Sequence, residues 1–250
     1  MLRFPHGWRW SQGRRAEPGK PGSGRGTGCG LIRREKRNGF IKCRKSIDCG
    51  EKMTILVDLD DTLEQLLAAL VKRANEKFHR NATVDDVTDW SIVCAFPGVS
   101  KREILDFMRE PDFWDDVKPV PGAAEALKHF IEEGHSVYVV TATECEHVKA
   151  KMEGVLFRYF PFLSWDQVII TSRKQMIRGD VLIDDGIHNL EGGNYKKILF
   201  TAPYNRDYDA ESNGMIRADN WGEIVGIIDH MNRQGRGSAR TDDNILRREI

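Results

Sequence analysis

The sequence predicts an α/β fold: a doubly wound parallel sheet with a small helical cap inserted after the first strand. Two patterns predict it. Short apolar runs ending in acids or hydroxyls, as buried parallel strands do, alternate with segments of helical periodicity. One helical stretch, at about residues 64–118, is too long for a simple crossover. It reads as a cap over the carboxyl edge of the sheet, where open α/β sheets bind ligands.

Thr54–Val57 is the first strand. In Leu63–His79, Leu63, Leu66, Leu67, Leu70, Val71, Ala74 and Phe78 recur at helical spacing. Thr83–Trp90 and Ser100–Arg109 read as two shorter helices, the second opened by a capping box of Ser100 and Glu103. Pro121 and Gly122 open a helix over Ala123–Glu133, which Gly134 stops. Strand Ser136–Thr141, helix Glu144–Phe157 and strands Gln167–Thr171, Val181–Asp184 and Lys197–Thr201 follow, and Trp221–Met231 is the closing helix. The expected division is a core of residues 53–63 and 119–231, a cap of 64–118 and a polar, frayed tail over 232–250.

A formal net charge of zero conceals an asymmetry. Residues 1–50 carry 13 Lys/Arg against Glu17, Glu35 and Asp48, a local +10, so the rest carries −10. An acidic body disfavours nucleic-acid polymer as a ligand. It still admits a small phosphorylated metabolite whose charge is met by a bound cation. Residues 1–52 read as a disordered basic tail, or as chain upstream of a natural start at Met53. An organelle presequence is the rival, ranked lower because no clear amphipathic helix is present. The run GKPGSGRGTGCG at 19–30 lacks the ending of a P-loop and follows no strand. No apolar run nears the roughly 20 residues of a membrane span, and no signal-peptide core follows the Arg-rich start. Five cysteines without CxxC spacing fit a reducing cytoplasm. Cys145 and His147 lie close in sequence, but exposed positions at a helix start are the simpler reading.

The chemistry sits at strand ends. In Asp58-Leu59-Asp60-Asp61-Thr62, residues two apart can direct polar groups into one site: Asp58 to attack phosphorus, Asp60 to serve the leaving oxygen. Asp61 is expected to point elsewhere, and Thr62 to help cap the next helix. Thr141 offers a hydroxyl and a backbone N–H to phosphoryl oxygens, and Lys174 a positive charge. Asp184 and Asp185 supply hard oxygens for Mg²⁺. Each part alone has an ordinary explanation, such as an acidic turn, a solvated lysine or a helix cap. An EF-hand is excluded, because Leu63 occupies the position that needs Gly. The four parts in this order, each closing or following an apolar strand, are hard to obtain by accident.

These motifs resemble those of the haloacid dehalogenase-like superfamily, over about residues 53–230. Several segments are also similar to the 5′(3′)-deoxyribonucleotidase family: the cap before PVPGA at 119–123, VLIDDGIHNL at 181–190, LFTAPYN at 199–205 and ADNW at 218–221. The resemblance implies that Asp58 forms an aspartyl-phosphate. Asp60 would be general acid and then base, with its backbone carbonyl on Mg²⁺. Thr141 and Lys174 would hold the phosphate, and Asp58, Asp184 and Asp185 would serve the metal, the direct ligand of the last two being open. Asp60 is expected to have a raised pKa from its acidic neighbours, and its presence argues against dehalogenation. The implied substrate is a (deoxy)nucleoside monophosphate, with a sugar phosphate as the alternative. Phe96, Phe113 and Trp114 are candidates to stack on a base, each equally explained as cap core. A phospho-accepting receiver would place its acid pair first and lack a large cap. A catalytically silent Mg²⁺-binding domain would have lost Asp58 or Asp60. A homodimer through the exposed cap stays open, with no residue assigned to it.

Overall fold

A computed structural model describes residues 52–246, with side chains as far as Gln234. The readings of the N-terminal tail and of a start at Met53 fall on residues outside this range, apart from Lys52 and Met53.

The elements in chain order are β1 (Thr54–Val57), α1 (Leu66–Phe78), α2 (Lys101–Leu105), α3 (Phe113–Asp116), α4 (Ala123–Glu132) and β2 (Ser136–Thr141). They continue with α5 (Val148–Lys151), α6 (Phe157–Tyr159), β3 (Val168–Ile170), β4 (Val181–Asp184), α7 (Ile187–Leu190), β5 (Lys196–Phe200), β6 (Ile216–Ala218) and α8 (Trp221–Leu246). The strands form one sheet of order β3-β2-β1-β4-β5-β6, and every pairing is parallel. The chain runs outward from β1 to β3, then returns to place β4 on the other side of β1. That reversal makes a topological switch point between β1 and β4, where the carboxyl ends of such sheets open a crevice.

Alternation within the strands explains why both faces are covered. Ile55 and Val57 join a core built with α4, the 148–160 segment and α8, through Leu127, Phe130, Leu156, Trp221 and Ile224. Leu56 points the other way, into a cluster with Val140, Leu182, Leu190 and Leu199. The segment between β1 and β2 gathers a separate core from Leu67, Leu70, Phe96, Ile104, Phe107, Phe113 and Trp114. This is the cap.

Several elements differ from expectation. Residues 83–90 hold only a short 3₁₀ turn at Val84–Asp86, held by reciprocal Thr83–Asp86 hydrogen bonds. Ser100 and Glu103 do form their capping box, but α2 tightens into a 3₁₀ turn at Asp106–Arg109. The helix expected from Glu144 starts at Val148 and widens into a π-helical stretch at Met152–Leu156. Strand β6 was not expected: it is three residues long with Arg217 at its centre. The expected polar tail from residue 232 is helical as far as Leu246, continuing α8, and Asn232 is buried.

His135 ties the start of the sheet to the end of α4: its Nδ1 accepts the Met53 N–H at 3.1 Å. Burial outweighs the opposing charges of Glu133 and Asp229 and holds its pKa below 6.5. A histidine kept neutral in the fold contributes stability that is complete above the unfolded value near 6.5 and declines as pH falls below it. Urea denaturation at pH 7.5 and 5.5 should show a smaller pH-dependent loss in His135→Asn than in the unsubstituted protein.

Candidate active site

Asp58 follows β1 and comes level with Asp184 at the end of β4, its N–H bonded to the Ile183 carbonyl at 2.9 Å. The loop beyond is pinned from below by Leu59 and Leu63, both fully buried. It closes on itself through the Leu63 N–H to Leu59 carbonyl bond, 2.9 Å. The indole N–H of Trp221 on α8 donates to the Thr62 carbonyl at 3.0 Å. Asp61 takes a left-handed φ of 53°. With that turn its Oδ1 accepts the Leu67 N–H at 2.8 Å, so Asp61 rather than Thr62 caps α1. Thr62 instead donates to Asp185 Oδ1 at 3.1 Å.

Lys174 reaches this loop from a 3₁₀ turn after β3. Its ammonium is buried between Asp58 Oδ1 at 2.5 Å and Asp184 Oδ2 at 2.7 Å. Asp184 Oδ1 is held by the Gly186 N–H at 2.8 Å and Asn189 Nδ2 at 2.9 Å. Asp185 takes Thr62 on one oxygen and the Tyr204 hydroxyl on the other. Oxygens of Asp58, Asp184 and Asp185 lie within 4.8 Å of one another. Three buried hard donors so close are a fitting set for a small divalent cation. A cavity of about 330 Å³ opens above them, between sheet and cap, with Asp58, Asp60, Lys174 and Asp185 at one end and Leu67, Leu70, Val87, Trp90 and Ile92 along its wall. That is a size suited to a small metabolite.

The family described as "5' nucleotidase, deoxy (Pyrimidine), cytosolic type C protein" matches residues 52–234. The chain belongs to that family. It is 34% identical over 178 residues to a 5′(3′)-deoxyribonucleotidase of Bacillus subtilis, covering 69% of this chain and 96% of the relative. A 5′(3′)-deoxyribonucleotidase of Clostridium acetobutylicum is 31% identical over 180 residues, covering 72% and 97%. Among solved structures, a haloacid dehalogenase-like hydrolase from Streptococcus pneumoniae superimposes with a TM-score of 0.51 at 12% identity, covering 71% of this chain and 98% of that one. That likeness concerns the fold. The protein is therefore an enzyme, a phosphoric monoester hydrolase with a haloacid dehalogenase-like core.

The electrostatics of the nucleotidase site follow from crowding. Six carboxyl groups (Asp58, Asp60, Asp61, Glu64, Asp184 and Asp185) face two ammonium groups, Lys151 and Lys174. Burial first, and then the charges of Asp184 and Asp60 against the pull of Lys174, push Asp58 up to about 7. Burial also lifts Asp61 to about 7 and Asp185 well above the carboxylate range. Asp60 behaves differently. Burial would raise it, yet Lys151 reverses the sign and brings it below its ordinary value. The expected rise of Asp60 from its acidic neighbours is thus overturned by a cation the sequence did not single out.

Lys151, at the end of α5, is 2% exposed. Its Nζ lies 2.5 Å from Asp60 Oδ2 and 3.2 Å from Thr141 Oγ1. Thr141 itself is fully buried, its hydroxyl on Lys151. Of the two readings of the candidate stacking residues, the structure gives cap core. Phe96 and Phe113 are wholly buried in the cap core, and Trp114 is buried with its indole N–H on the Met108 carbonyl at 3.1 Å. None of the three borders the cavity above Asp58; Trp114 lines a neighbouring one. Trp90, His188 and Tyr204 do line the catalytic cavity; Trp90 is 55% exposed and edge-on to His188 at 4.6 Å and to Tyr204 at 5.1 Å. Cys145 is exposed while the His147 ring is buried, with Glu146 at 3.4 Å.

Lys151→Met would leave Asp60 without its cation. Steady-state kinetics should show kcat lower by roughly 10²-fold. Chemical denaturation should show a loss of about 1–3 kcal/mol, discounted for the partial exposure of Asp60.

Proposed function

We propose that the protein hydrolyses a small phosphorylated metabolite, a (deoxy)nucleoside monophosphate, through an aspartyl-phosphate on Asp58 with Mg²⁺ as cofactor. The observation that carries this reading is Lys174, buried between Asp58 and Asp184 at the floor of a metabolite-sized cavity. In that position Asp58 presents a carboxylate oxygen to phosphorus, and Lys174 offsets the charge of the phosphoryl oxygens. Thr141 holds Lys151, and Lys151 in turn holds Asp60. Because Lys151 keeps Asp60 ionised in the free enzyme, Asp60 takes up a proton with the substrate, gives it to the ester oxygen as the P–O bond breaks, and then takes one from the water that releases phosphate. Asp58, Asp184 and Asp185 would hold Mg²⁺, which when bound lowers the repulsion between carboxylate and phosphate. Asp60 would add its backbone carbonyl.

Substrate choice falls to the cap. Trp90 stands at the cavity together with Tyr204 and His188, an arrangement that can stack on a nucleobase. The names of the relatives support a deoxynucleotide over a sugar phosphate. Among the described residues no helix is long and apolar enough to cross a membrane. The reading includes a cytoplasmic setting, in keeping with the free thiols Cys94 and Cys145.

The test is phosphate release from deoxy- and ribonucleoside monophosphates and sugar phosphates, with Mg²⁺ and with EDTA. Selective, Mg²⁺-dependent release from deoxynucleotides is expected, and release from sugar phosphates alone would contradict the substrate assignment. Asp58→Asn should lose more than roughly 10³-fold in kcat with its circular dichroism unchanged. Trp90→Ala should raise KM for nucleotides by about 10-fold, as loss of one base-stacking contact would, and leave sugar phosphates unaffected.

A further inference from the structure

Three consecutive residues of the loop after β5 tie it to both sides of the catalytic cavity. The Tyr204 hydroxyl donates to Asp185 Oδ2, while the Tyr204 ring meets Trp90 of the cap edge-on at 5.1 Å. Asn205 is buried, and its Nδ2 donates to the Asp185 carbonyl at 2.9 Å and to the Phe200 carbonyl at 2.8 Å. Arg206 pairs with Asp85 of the cap at 2.5 Å, an exposed contact that by itself adds little. Asp185 is thus held twice by this loop, at its carboxylate and at its backbone.

Loops commonly yield when one end is moved. This one is braced. Asn205 Oδ1 accepts the Ala202 N–H at 3.1 Å and Arg217 Nη1 at 3.0 Å. From the centre of β6, Arg217 also donates to Thr201 Oγ1 at 3.1 Å and to the carbonyls of Asn205 at 2.9 Å and Tyr208 at 2.7 Å. All four acceptors of this guanidinium belong to residues 201–208. A backbone fixed in this way passes a change at the Asp185 carboxylate to the Tyr204 ring instead of absorbing it.

We infer that Tyr204 is a positioning residue that couples the two ends of the substrate site, so that a divalent cation on Asp185 and a nucleobase on Trp90 each make the other bind more tightly. A cation held by Asp58, Asp184 and Asp185 settles the carboxylate to which the phenol is anchored. The settled ring offers a fixed edge to Trp90, and a base stacking there has less motion to arrest. The sign is positive because whichever ligand binds first orders side chains that the second needs. A nucleotide therefore gathers its cation more effectively than a phosphate ester without a base.

This coupling rests on the proposed cation site and on Trp90 as base platform, and binding measured without turnover separates the two. Thymidine is the probe, since it carries base and sugar but no phosphate to touch the cation. Its dissociation constant is measured by calorimetry in EDTA and in saturating Mg²⁺, for the unsubstituted enzyme and for Tyr204→Phe, which keeps the ring and loses only the hydroxyl. Mg²⁺ affinity is read separately, from the rise of the thermal midpoint with Mg²⁺ concentration. Mg²⁺ should tighten thymidine about 5-fold or more in the unsubstituted enzyme and less than about 2-fold in Tyr204→Phe. Mg²⁺ itself should bind Tyr204→Phe roughly 10-fold more weakly, as loss of a hydrogen bond to a metal ligand would cause. A merely structural hydroxyl would weaken thymidine equally with and without Mg²⁺. That result, an absence of enhancement in the unsubstituted enzyme, or an Mg²⁺ affinity untouched by the substitution would each overturn the inference alone. If the unsubstituted enzyme bound no Mg²⁺ the cation site would fall, and if it bound no thymidine the base platform would fall, in either case with the inference.

Discussion

Lys174 carries an ammonium group into the interior, a placement that would be prohibitive without compensation. Asp58 at 2.5 Å and Asp184 at 2.7 Å supply it. Those two carboxylates can flank one lysine because β1 and β4 are neighbours in register, and they are neighbours because the sheet reverses its order there. The ion triad thus depends on topology, and the rest of the site depends on the triad. Replacing such a cluster with apolar side chains would often stabilise a fold. Its presence at the floor of a cavity is an argument about chemistry.

Around the triad the protein accepts more negative charge than its lysines can match. It manages the excess by distribution. Asp184 is surrounded by donors from Gly186 and Asn189, Asp185 by Thr62 and Tyr204, and Asp61 is spent on the cap of α1. Asp60 alone is drawn below its usual pKa, by Lys151. Burial, and then the residual repulsion, raise Asp58 and Asp185, and the crowded oxygens favour a divalent cation among them. The same features that make the pocket unfavourable when considered as a core make it suited to an anionic phosphate and a metal together.

How much of this could be read from the chain depends on where each residue sits. The positions of Asp58, Lys174, Asp184 and Asp185 were legible because they end or follow apolar runs, and a parallel sheet gathers such ends on one edge; Thr141 closes β2 as expected, but its hydroxyl is turned to Lys151. Strands β1, β2 and β4 have the residue limits their apolar runs suggest. Lys151 was not legible. In Val148-Lys149-Ala150-Lys151 it resembles its solvated neighbour Lys149, and the π-helical widening that follows disturbs the 3.6-residue reckoning of faces. Glu64 gave no signal either, since an acid beside an acidic loop reads as exposed. The aromatics show the limit most plainly. Phe96, Phe113 and Trp114 became core and Trp90 faced the cavity, a choice made by packing within the cap that no spacing rule encodes. Strand β6, short and centred on Arg217, is held by its place at the edge of the sheet beside β5.

The proposed reaction requires that Asp58 become phosphorylated during turnover. Acid quenching of the enzyme with Mg²⁺ and a deoxynucleoside monophosphate, followed by peptide mapping by mass spectrometry, tests it directly. One phosphoryl group on Asp58, present during turnover and absent without substrate, is the predicted result. A phosphoryl group on another residue would contradict the account.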